Sequence, residues 1–223
     1  MKKILIALLA CSPLMCAAQS EWEAPTTTQN KEVKKAENAP KQNKETEAKP
    51  MAQAIKDWKY IQEGAVPEIG GKIVFTQDIS LANKSAQQIY ELAYAALDSI
   101  TKDKNQINSS IALINRKEHS IVARYQEWLE FNKSFLSLDR TKFSYVIIAN
   151  CSDNQLHLSM ERLSYNYEEG RTTGLKTTAE NWIADKYAVN KKRTKLTPGT
   201  AKFRKKTIDR KDELFKYIEN AVK

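Results

Sequence analysis

An antiparallel α+β fold is what this 223-residue chain predicts, on three observations. Apolar residues alternate with polar ones in four consecutive stretches between 110 and 167. One amphipathic helical stripe precedes them near 85–100, and the last third reads as helix. The order is strand, helix, four strands, helices. Strands grouped with strands and helices with helices favour an antiparallel sheet of about five strands, with helices on one face or end.

The elements follow from the N-terminus. Met1, Lys2 and Lys3 begin basic, Ile4 to Ala18 is largely apolar, and Cys16-Ala17-Ala18 supplies small residues for a peptidase cleft. Residues 1–18 therefore read as a signal peptide cleaved between Ala18 and Gln19. The alternative is lipidation at Cys11, because Leu8-Leu9-Ala10-Cys11 fits a lipobox; acylation would anchor the chain to a membrane. Residues 19–50 are a polar linker whose six lysines balance six glutamates, too poor in apolar surface to offset ordering entropy. Residues 51–223 form one domain.

Within that domain, Ala54 to Tyr60 has helical character, and Gly64-Ala65-Val66-Pro67 with Gly70-Gly71 makes a loop. Lys72 to Ile79 is a strand. Ser85 and Gln88 form a capping box opening a helix whose Ile89, Ala93, Leu97 and Ile100 face a core. Ser110 to Arg116 and Ser120 to Phe131 are strands joined at Lys117-Glu118-His119. Lys142 to Cys151 and Gln155 to Tyr167 form a hairpin turning at Asp153-Asn154. That turn sets Cys151 opposite Leu156 and Asn150 opposite His157. Thr177 or Thr178 caps a helix carrying Trp182, Ile183 and Tyr187, Pro198-Gly199 makes a type II turn, and a last helix from about Ile208 to Val222 buries Leu214, Phe215, Ile218 and Val222.

Two stretches carry a resemblance. One runs from Lys59-Tyr60-Ile61 through Gly64-Ala65-Val66-Pro67 to Gly71-Lys72-Ile73-Val74-Phe75. The other is Ala179-Glu180-Asn181-Trp182-Ile183, continued by Thr194-Lys195-Leu196, Gly199, Lys202 through Arg210 and Asp212-Glu213. Together they resemble a Bacteroidota family of exported proteins, a domain of unknown function with a TATA-box-binding-protein-like (TBP-like) fold. The resemblance spans about Lys59 to Val222. It implies a sheet of roughly five antiparallel strands with helices packed on it, and no activity or site residues, since fold does not carry function.

Composition bounds what the protein does. Net charge is +9, from 36 basic against 27 acidic side chains. No 20-residue apolar run occurs beyond residue 18, which excludes a polytopic membrane protein of helices. Cleavage would leave Cys151 as the lone cysteine, a buried small hydrophobe in this reading. The charge concentrates in one place: Lys191, Lys192, Arg193, Lys195, Lys202, Arg204, Lys205, Lys206, Arg210 and Lys211 stand against Asp209 alone. Such a segment suits an anionic envelope component or an acidic protein; an exported protein seldom meets nucleic acid. His157, Ser159 and Glu161 share one strand face about 6.6 Å apart per step, too far for a hydrogen-bonded relay. Neither a metal-ligand spacing nor a phosphate-cradling glycine loop is present, so no cofactor is expected. The chain is therefore read as an exported, non-enzymatic binding module of the bacterial envelope, periplasmic or secreted, or an outer-membrane lipoprotein if Cys11 is acylated. The alternatives are a hydrolase-like enzyme using His157 and nearby carboxylates, or a purely structural envelope component.

Overall fold

The computed structural model describes residues 57–133 and 138–223. The expected signal peptide (with Cys11, Ala18 and Gln19) and the linker lie outside these residues, as does the start of the helical stretch at Ala54. Residues 57–61 are helical. β1 (Glu68–Ile69) and β2 (Lys72–Ile73) make a small hairpin, with Ile69 opposite Lys72. Its two-residue loop is Gly70-Gly71, at φ +58 and +75, the left-handed pair that a type I′ turn demands and that glycine adopts without crowding. The strand expected over Lys72 to Ile79 is thus split: β3 (Phe75–Ser80) leaves the hairpin to join the main sheet.

α1 (Ala86–Thr101) begins at the expected capping box, with the Ser85 hydroxyl accepting from the Gln88 amide and Gln88 reaching back to the Ser85 amide. β4 (Ser110–Asn115), β5 (Ser120–Lys133), β6 (Leu138–Ser152) and β7 (Gln155–Tyr167) follow, then a short β8 (Leu175–Thr178). The six-stranded sheet has the order β3-β7-β6-β5-β4, every pair antiparallel. β8 lies beside the second half of β7, next along that edge from β3. Cys151 stands opposite Leu156 and Asn150 opposite His157, the register the Asp153-Asn154 turn implies. Asn154 takes φ +64 there.

Alternation assigns the faces. Phe143, Tyr145, Ile147, Ala149 and Cys151 of β6 are buried, as are Leu156, Leu158 and Met160 of β7 and Ile121, Ala123 and Tyr125 of β5. They meet Ile89, Ala93, Leu97 and Ile100 of α1 and Leu214, Phe215, Ile218 and Val222 of the last helix in one core. The other sheet face is open among the described residues. No helix in the described residues is long and apolar enough to cross a membrane.

The C-terminal third differs from expectation in two places. The helix expected to carry Trp182, Ile183 and Tyr187 is two short turns, α2 (Ala179–Trp182) and α3 (Asp185–Ala188). Ile183 caps the first, and Ala184, at ψ 153, breaks the helix before the second. Tyr187 is consequently exposed, while Trp182 packs edge-on against Phe203. The last helix, α4 (Ala201–Val222), begins seven residues before Ile208, directly after the Pro198-Gly199 turn, where Gly199 has φ +88.

Candidate functional site

The basic segment spans two elements that use their charges differently. The first is the loop between α3 and α4. Val189 and Leu196 pair across it and pack on Ile61 in a small second apolar cluster. Inside the loop, the Asn190 side-chain oxygen accepts from the amides of Thr194 (2.8 Å) and Lys195 (3.1 Å), and its amide nitrogen donates to the Thr194 hydroxyl at 3.0 Å. One asparagine therefore braces the loop. Arg193, at φ +49, turns inward, and its Nη2 donates to Asp185 Oδ2 at 2.7 Å. Lys191, Lys192 and Lys195 are exposed on this frame, and their ammonium groups have no hydrogen-bond or ion-pair partner among the described residues.

The second is α4, where most of the cations are consumed by the fold. Arg204 is fully buried: Nε donates to the Tyr60 carbonyl and Nη1 to the Ile183 carbonyl, each at 2.6 Å. Its Nη2 lies 2.7 Å from Asp185 Oδ1, a close ion pair poorly aligned for a hydrogen bond. Burial pulls Arg204 below the ordinary arginine value, and Asp185 acts against that pull. Arg204 is therefore a structural cation tying the 57–61 segment, α2 and α3 to α4, and it presents nothing to a ligand. Lys205 pairs with Asp57. Lys202 Nζ donates to Asp139 Oδ2 (2.8 Å) and to the Tyr167 hydroxyl (3.0 Å) among the rings of Phe131, Tyr167 and Phe203. Lys211 pairs with Asp212.

Arg210 anchors a separate constellation. Its Nε and Nη2 donate to the two carboxylate oxygens of Glu127 at 2.9 and 2.8 Å. The same buried carboxylate accepts from the Tyr145 hydroxyl (3.1 Å) and from Gln106 Nε2 (2.8 Å). Burial opposes the Arg210 charge, and the bonds and field of Glu127 more than offset it, holding the guanidinium above its ordinary value. Tyr145 is raised well above the usual phenol range, first by burial and then by the Glu127 charge. Over this network lies a cleft of about 490 Å³, lined by Trp128, Lys59, Lys206, Asp209, Asp212 and Lys216 among others. Lys206 is the fourth exposed lysine of the segment without a partner among the described residues.

The remaining candidates are dispersed. His157 Nδ1 lies 2.7 Å from Asp78 Oδ1 on the neighbouring strand, and no hydrogen bond joins it to Ser159 among the described residues. Cys151 faces the core, where burial pushes its thiol up to about 12, far from a reactive thiolate. His119, at φ +49 in the β4–β5 turn, contacts Gln87 and the edge of Tyr90. Tyr165 is a core residue bonded to the Thr207 hydroxyl at 2.7 Å. Among the described residues, no three His, Cys, Asp or Glu side chains converge as a metal site. The Glu127–Arg210 pair escaped sequence reasoning, because an alternating strand marks Glu127 as inward-facing without naming a partner 83 residues away.

A mainly antiparallel sheet with helices packed on one face places the protein in the TBP-like α+β class. The chain belongs to DUF4468, a family described as a domain of unknown function with TBP-like fold, whose pattern matches residues 75–166. A crystal structure of a DUF4468 family protein from Bacteroides ovatus is 37% identical, with a TM-score of 0.69, over 74% of this chain and 94% of that one. A TBP-like protein from Parabacteroides distasonis shares the fold at 21% identity and a TM-score of 0.58, over 70% of this chain and 96% of that one. No curated protein matches the chain.

Proposed function

We propose that the protein is an exported binding module of the cell envelope of a Gram-negative bacterium, docking an anionic envelope component through the lysines of the α3–α4 loop. One observation carries the reading. The segment's charges divide into cations paired within the fold (Arg193, Lys202, Arg204, Lys205, Arg210 and Lys211) and lysines left to solvent on a braced loop (Lys191, Lys192 and Lys195), with Lys206 further along. The braced backbone leaves only the three lysine side chains to be ordered on binding, and three clustered ammonium groups suit a polyanionic surface such as lipopolysaccharide phosphates or acidic glycan. Export rests on the basic and apolar pattern of residues 1–18.

Envelope fractionation of the native host tests both parts. Free export with electrostatic docking gives a protein that sediments with the envelope at low salt and is released at high salt. The triple variant Lys191→Gln, Lys192→Gln, Lys195→Gln is then soluble at both. Retention in the membrane at high salt identifies the lipidated form acylated at Cys11. A triple variant that sediments like the parent refutes the role of the loop.

A further inference from the structure

Two arginines outside the basic segment line one dimple on the sheet. The β6–β7 register passes from Ser144 opposite Ser164 to Val146 opposite Glu161, so Arg162 and Leu163 together face Tyr145 in a bulge. Leu163 turns into the core, and Arg162 takes φ +57. Of the six non-glycine residues with positive φ among those described, Arg162 alone lies inside a strand. Glycine would hold that conformation without crowding, so arginine is kept there at a conformational cost.

The bulge places Arg162 on the rim of the same dimple as Arg124. Arg124, Val146 and Glu161 form one row across β5, β6 and β7, spanning about 10 Å over two strand spacings. A dimple of about 260 Å³ is lined by Arg124, Arg162, Asn108, Gln126, Ser144 and Val146. Arg124 is exposed and has no partner among the described residues. Arg162 is 79% exposed, with Nε 3.3 Å from Glu161 Oε1. In the adjacent row, Gln126 Nε2 donates to Ser144 Oγ at 3.2 Å. Guanidinium forks fit planar and tetrahedral oxyanions, while the amides of Asn108 and Gln126 and the Ser144 hydroxyl fit sugar hydroxyls. The volume lies below the roughly 300–1,000 Å³ of sites for larger ligands, which limits the occupant to one small polar unit.

We propose that this dimple binds the oxyanion of a small hydroxylated acid, a sugar carboxylate or a sugar phosphate, between Arg124 and Arg162. It shares no residue with the lysine loop and stands or falls separately from it.

The test is calorimetric titration of the purified protein with galacturonic acid, glucose 6-phosphate, and the neutral sugars galactose and glucose. One of the two acids binds and the neutral sugars do not; which acid binds identifies carboxylate or phosphate as the source. Arg124→Gln and Arg162→Gly each weaken that binding at least about tenfold, the scale of one charge-assisted hydrogen bond. Arg162→Gly relieves the strained φ, so it stays folded and isolates the lost guanidinium. The triple lysine-loop variant binds as the parent does. Binding of neither acid, equal binding of neutral sugars, or affinity unchanged in both arginine variants overturns the proposal.

Discussion

Replacing Arg204 with methionine probes how the basic segment divides its charges. The side chain is fully buried and supplies three contacts: the Tyr60 carbonyl, the Ile183 carbonyl and Asp185. Methionine restores much of the volume and none of the donors. Two carbonyls then lose a charged donor, while Asp185 keeps Arg193. A buried carbonyl left without its donor costs about 1–3 kcal/mol, so the two cost about 2–6 kcal/mol. In a domain of this size, that lowers the melting temperature by roughly 4–24 °C. Lys191→Met, equally a loss of one cation, falls within about 0.5 kcal/mol of the parent because no side chain among the described residues pairs with that lysine. Urea denaturation of the two variants, followed by far-ultraviolet circular dichroism, measures both. An Arg204→Met variant within about 1 kcal/mol of the parent, or a Lys191→Met variant as unstable as Arg204→Met, refutes the division.

Three further outcomes follow from the core and its caps. The Cys151 thiol stays inert to a thiol reagent at pH 8 in the folded protein and reacts on unfolding, as quenched labelling with and without urea will read out. Because burial raises the folded-state thiol from 9.0 to about 12, the unfolded chain loses its proton first; this group's contribution to stability is full below about pH 9 and declines toward pH 12. Cys151→Ala flattens that alkaline decline in pH-dependent denaturation. Ser85→Ala removes the hydroxyl that caps α1 and costs about 1 kcal/mol in the same denaturation assay.

How far the sequence could be read depended on whether a feature was local. The β6–β7 register was legible because a two-residue turn at Asp153-Asn154 determines the pairs that follow it, and the alternation then sorts Leu156, Leu158 and Met160 inward. The α1 cap was legible because Ser85 and Gln88 satisfy each other within four residues. The start of α4 was hidden by its own composition. Lys202, Arg204, Lys205 and Lys206 read as a solvated run, although Phe203, Arg204 and Thr207 are buried there. A buried arginine at that position is explained by the Tyr60 carbonyl, 144 residues away in sequence, together with the Ile183 carbonyl and Asp185. The same limit separated bound from free cations, since Asp57, Asp139, Glu127 and Asp185 come from four other parts of the chain. The Arg124–Arg162 pairing needed the bulge in β7, which alternation alone does not reveal.

The most direct test of the account is the salt concentration at which the purified protein leaves a sulfated polysaccharide matrix, compared with the triple variant of Lys191, Lys192 and Lys195 to glutamine. If those three lysines carry the docking, the variant elutes at distinctly lower salt, although most of the segment's cations remain in place. Elution of both proteins at the same salt contradicts the account and returns the loop to an ordinary solvated surface.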